Sequence, residues 1–134
     1  MKPEDPKATR KSQIFVSAAL VVAGIIHLVP IAGVSGADQL GALYGLPMAE
    51  PNLVILMRHR AVLFGLLGAF MVYAAFRPAL LNLALGAGFV SVLSFFYFAW
   101  SAGGYNDAIT RIVAGDIVAF GCLAAGAIVR ALRR

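Results

Sequence analysis

Arg58, His59 and Arg60 are consecutive ionisable side chains set just inside a long apolar stretch that opens at Leu53. A charge at bilayer depth costs at least ~2.5–3.5 kcal/mol on insertion scales, so it is normally paired or functional. Three more polar residues interrupt apolar stretches in the same way: His27, Arg111 and Asp116. The arginines suit an anionic or polar head group, which a guanidinium grips with two parallel hydrogen bonds. His59, Asp116 and His27 are the candidate acid–base catalysts, since burial beside arginines tunes the pKa of such groups. Two histidines at similar depth on consecutive helices also suit haem, with arginines near its propionates, although adjacent helices bring them close for a porphyrin sandwich. Zinc on His27, His59 and Asp116 has no spacing signature. Covalent catalysis has no motif: Ser17, Ser91 and Ser94 lack a local partner, and Ser101-Ala-Gly-Gly lacks the phosphate-loop pattern.

The elements that must position these groups are membrane helices. The chain has 134 residues, 61% hydrophobic and only 13% charged, with a mean hydropathy of +0.88. A water-soluble domain of this size carries far more charge. Apolar segments at about 14–34, 53–76, 79–100 and 107–129 each approach the ~20 residues that cross a bilayer. The expected fold is an all-α integral membrane four-helix bundle, with 14–134 as one transmembrane domain. Residues 1–13 read as a flexible basic cytoplasmic tail. The first segment is long for a signal-peptide core, so it reads as a retained anchor. Pro30 should break its last turns and leave the Ile26 carbonyl without its usual partner. Residues 35–52 form a loop, with one interfacial turn around Leu40 to Tyr44. Arg77-Pro78 ends the second segment and starts the third.

The net charge of +5 does not point to nucleic acid. Lys2, Lys7, Arg10, Lys11, Arg77, Arg130, Arg133 and Arg134, eight of the eleven basic residues, fall on one side of the four-segment topology. Asp38, Glu50 and Asp107 fall in the loops of the other side. The positive-inside rule then predicts both termini in the cytoplasm, in a membrane of the bacterial inner type, with the basic ends against anionic lipid. On that topology His27 lies ~10 Å deep, Arg58 to Arg60 ~8–10 Å, Arg111 ~6 Å and Asp116 ~13 Å, all from the outer surface. The six polar residues therefore share the outer half of the bilayer. Neighbours on a helix point ~100° apart, so Arg58, His59 and Arg60 cannot all face one spot. Asp116 is the natural partner of an inward arginine, and Asp107 and Arg111 are spaced to pair on one face. Tyr97, Trp100 and Tyr105 suit an interfacial aromatic belt. Gly65, Gly68, Ala69, Gly86, Gly88, Gly115, Ala119, Cys122 and Gly126 offer small-residue packing surfaces.

With Arg60 entering the second segment ahead of Gly65 and Gly68, and with Asn82 and Gly86 in the third, the chain resembles the DoxX-like superfamily of small four-helix bacterial membrane proteins. That resemblance implies a compact bundle and, in some members, quinone-dependent or sulfur redox chemistry. It carries over no catalytic residue. Small multidrug transporters share the size and helix count, but the first segment here has no acid, only His27. The expected function is binding of an amphipathic or lipophilic molecule (a lipid, quinone or isoprenoid) by Arg58, His59, Arg60, Arg111, Asp116 and His27. The alternatives are a membrane enzyme working by acid–base chemistry at the same site, and an interaction subunit docking a membrane partner or a second copy of itself.

Overall fold

The computed structural model describes residues 6–133. The described residues are 87% helical, with no strand among them. Helix α1 spans Pro6–Leu28, so residues 6–13 are helical rather than the flexible tail expected from their charge. Lys, Ala, Arg and Gln are good helix formers, and no proline follows Pro6 before Pro30. The first five residues of the expected tail lie outside the described residues. At Pro30 the α-helix gives way to a 3₁₀ segment, Val29–Ser35. Proline has no N–H for the Ile26 carbonyl, and tighter winding takes over. The expected interfacial turn is a full short helix, α2 (Ala37–Tyr44), closed by Gly45 at φ 64° with its N–H on the Gly41 carbonyl.

Helix α3 spans Pro51–Ala74, with proline in its first turn and Glu50 as its cap. The Glu50 carboxylate accepts from the N–H of Asn52 at 2.9 Å and of Leu53 at 2.6 Å. Those two bonds hold its carboxyl below the ordinary value. A 3₁₀ turn, Pro78–Leu80, leads into α4 (Leu81–Ser101). Helix α5 spans Asp107–Ala131 and is capped by Asn106, whose Oδ1 accepts from Ile109 N–H at 2.9 Å.

α1, α3, α4 and α5 are each long and apolar enough to cross a membrane. α1 packs chiefly on α3 and α5, and α4 completes the bundle against both. Val16, Leu20, Met71, Leu85, Val92 and Leu123 fill the core. Large apolar side chains also cover the outer surface of the spans: Leu66 is 63% exposed, Val90 70% and Phe98 65%. Such a surface is stable against hydrocarbon and not against water. Exposed Tyr97, Trp100 and Tyr105 cluster near the α4–α5 loop.

Helices in lipid gain little from excluding water, so close backbone contact must hold them together. α1 and α3 cross at two facing glycines. A Cβ on Gly68 would sit 2.6 Å from the Gly24 carbonyl oxygen, and one on Gly24 would sit 2.9 Å from the Gly68 oxygen. Gly65 is filled by Ile31, and Gly88 by Leu123 and Met71. Gly86 instead faces open space and Ala69 is exposed, so neither serves the packing role expected of it. At the end of the bundle that holds the termini, Ser17 donates to the Ala75 carbonyl at 2.5 Å. There Arg130 donates to Asn82 Oδ1 at 2.5 Å.

Candidate functional site

At the opposite end, the five helices and the 3₁₀ segment Val29–Ser35 line an open cavity of about 370 Å³. α5 contributes Ala108, Arg111, Ile112, Gly115 and Asp116, a stripe at the spacing that keeps residues on one helical face. His27 enters from α1, Arg60 and Phe64 from α3, Phe95 from α4, and Leu43 and Tyr44 from α2. The wall is mainly apolar, with a few polar groups aimed inward, which is the usual build of a small-molecule site.

His27 is the deepest of these groups, only 2% exposed. Its Nδ1 lies 2.8 Å from the Ala23 carbonyl oxygen. A carbonyl can only accept, so Nδ1 carries a proton. Nε2 lies 3.0 Å from Ser91 Oγ on α4, and in the neutral ring it accepts that hydroxyl proton. The imidazole stacks on Phe64, with centroids 5.9 Å apart and planes at 24°. Both ring nitrogens are thus engaged, Nδ1 within α1 and Nε2 in tying α1 to α4.

Arg60 is fixed by aromatic groups. Its guanidinium carbon lies 4.6 Å from the Phe64 centroid and 5.2 Å from the Tyr44 centroid, and Nη1 donates to Tyr44 Oη at 2.6 Å. A guanidinium held this way keeps its other N–H groups free for a ligand and loses little freedom on binding one. Tyr44 is itself pinned. Asn106 Nδ2 donates to the Tyr44 carbonyl at 2.9 Å and to the Gly45 carbonyl at 3.2 Å. The same amide therefore caps α5 with its oxygen and ties down α2 with its nitrogen. The left-handed turn at Gly45 makes room for it, because a Cβ there would lie 2.9 Å from Asn106 Nδ2.

Asp116 is half-buried and Arg111 is exposed at the rim. Neither makes a direct hydrogen bond or ion pair with another described residue. The Asp107–Arg111 pair expected from spacing does not form among the described residues.

Of the six expected site residues, the cavity gathers His27, Arg60, Arg111 and Asp116. It does not include Arg58 or His59. Arg58 Nε turns to the Val34 carbonyl at 2.9 Å, where it ties α3 to the 3₁₀ segment. His59 is exposed and away from the cavity. The cause is helical phase. Ala61, Gly65, Gly68 and Met71 form the buried stripe of α3, and Arg60 flanks that stripe at ~100°, while His59 falls on its far side at ~200°. A haem held between His27 and His59 is thus excluded by direction, and by the engagement of both His27 nitrogens. The zinc set fails likewise: no three His, Cys, Asp or Glu side chains converge among the described residues.

Tyr44, Phe64, Ser91 and Asn106 were missed as site residues. Phe64 was accessible from its i, i+4 spacing to Arg60. Ser91, Tyr44 and Asn106 carry no local signal, because each meets a partner far away in sequence. Comparison of the chain with family models, with curated proteins and with solved structures finds no match.

Proposed function

We propose that this protein binds the polar head of a lipophilic molecule, such as a lipid, quinone or isoprenoid, in the cavity bounded by His27, Arg60, Arg111 and Asp116. One observation carries the reading: the Asp116 carboxylate and the Arg111 guanidinium line an apolar-walled cavity with no partner for either among the described residues. The half-buried carboxylate is the kind of group that costs stability unless something satisfies it, while Arg111 at the rim is free to close on an anion. Arg60 is the preorganised anchor, Arg111 the second cation, Asp116 the acceptor, and His27 a structural neighbour whose ring forms part of the wall. With the termini cytoplasmic, as the charge asymmetry favours, the site lies in the outer half of a bacterial inner membrane, and membership of the DoxX-like superfamily would accord with that setting.

The test is native mass spectrometry of protein released from mild detergent, beside an Arg60→Ala/Arg111→Ala variant. The expected result is a discrete adduct on the wild type that the variant loses. Bare protein in both spectra, with both chains folded, refutes the reading.

A second reading, acid–base catalysis on the bound molecule, is favoured by Asp116 alone, whose unpartnered carboxylate faces the cavity. His27 is poorly placed as a base, since both of its nitrogens are bonded. On this reading the adduct changes mass with time on the wild type and stays unchanged on Asp116→Asn.

A further inference from the structure

The cavity's charges specify its occupant more narrowly. Two arginines, Arg60 and Arg111, and one aspartate, Asp116, line the cavity. Cationic side chains therefore outnumber acidic ones there, and a head group with a single negative charge complements them. The two guanidinium groups come from different walls, α3 and α5. A tetrahedral phosphate presents oxygens in several directions and can meet both, whereas a planar carboxylate is used up by one fork. Asp116 needs hydrogen-bond donors, and no described side chain supplies one. His27 is unable to, because Nδ1 and Nε2 are held by Ala23 and Ser91. Hydroxyls on a ligand are of the right chemistry to supply them. Asp116 lies five residues beyond Arg111 on α5, ~7.5 Å further along the helix, so the donor end sits deeper than the anion. The volume of about 370 Å³ corresponds to about a dozen water-sized groups at ~30 Å³ each. That holds a head group and the start of one chain.

We infer that the ligand is an amphiphile with a monoanionic phosphodiester head ending in hydroxyls, the phosphate between Arg60 and Arg111 and the hydroxyls on Asp116. This inference rests on the ligand-binding reading above and narrows it to one head-group chemistry. Tyr44 Oη accepts from Arg60 and keeps its own proton, which is a further donor to the phosphate from α2.

The test compares two single-chain probes with the same acyl group, lysophosphatidylglycerol and lysophosphatidylmethanol. They have the same charge and differ in the head-group hydroxyls. Binding to the full chain in detergent is measured by native mass spectrometry at submicellar probe concentration. The wild type should hold the glycerol head ~10-fold more tightly, the worth of one hydrogen bond to a charged group. Asp116→Ala should abolish that preference without weakening the methanol probe. Arg111→Ala should weaken both probes ~10-fold and leave the preference intact. Neither side chain has a partner among the described residues, so both variants should keep at least the wild-type unfolding midpoint. Equal binding of the two probes to the wild type, or a preference that survives Asp116→Ala, overturns the inference. If neither probe binds while a different adduct is still lost from the Arg60→Ala/Arg111→Ala variant, the head-group assignment falls and ligand binding stands. If no adduct is seen either, both fall.

Discussion

Replacing Gly68 with alanine drives a methyl group into the backbone of α1. The new Cβ would lie 2.6 Å from the Gly24 oxygen and 2.9 Å from the Leu28 nitrogen, where ordinary contact begins at 3.4 Å. Backbone cannot swing aside as a side chain can, so α1 must retreat from α3 by about 0.8 Å. A gap of that size forfeits a quarter to a half of the dispersion energy at the crossing. Overpacking of this kind costs about 1–3 kcal/mol. The displacement reaches the cavity as well, because His27 lies one turn beyond Gly24 on the retreating helix. The assay is unfolding in mixed micelles with increasing dodecyl sulfate, followed by helical circular dichroism. Gly86→Ala is the matched control. A Cβ there meets nothing within 4 Å, and alanine is the better helix former by about 1 kcal/mol. Gly68→Ala should unfold at clearly lower dodecyl sulfate fraction and Gly86→Ala at the same or higher. Equal stability of the two variants would refute the close approach of α1 and α3.

Three further outcomes are expected. Asn106→Asp keeps an oxygen to cap α5 but removes both donors to α2, so amide exchange across residues 37–45 should rise ~10–100-fold, read by hydrogen–deuterium mass spectrometry. Ser91→Ala strips the Nε2 partner from a buried histidine and should cost about 1–3 kcal/mol in the same unfolding assay. The Glu50 carboxyl is held below its ordinary 4.5 by the α3 N–H groups, so its stabilising effect is complete above that value and is lost as pH falls through the lower folded-state value. The wild-type melting midpoint should therefore drop on acidification through that window, and the Glu50→Gln midpoint should change less.

The four spans were legible because lipid imposes a length and a composition that few other environments demand. The Arg77-Pro78 break and the polar end of the bundle were legible for the same reason, as interruptions of an apolar pattern. The facing of Arg58, His59 and Arg60 was readable only as a conflict. Its resolution lay in the neighbouring glycines, since a small-residue stripe through Gly65 and Gly68 already sets which side of α3 meets α1. Gly24 went unremarked because one glycine in an apolar run has no pattern of its own, and its role exists only opposite Gly68. The helical start at residue 6 was hidden by charge, which marks a segment as outside the membrane without saying whether it is coiled. Tyr44 and Asn106 lie 62 residues apart in sequence, and nothing local announces a bond between them.

That bond makes the Asn106 side chain a shared pivot. When α2 lifts from the cavity, the amide nitrogen loses its anchor, and the oxygen that caps α5 becomes free to turn with it. The first turn of α5 then loosens, and Arg111 follows directly after that turn. The seating of α2 and the order of the α5 N-terminus are therefore coupled through one side chain. A change that loosens one should loosen the other, and anything that fastens α2 over the cavity should also firm the helix start that carries Arg111.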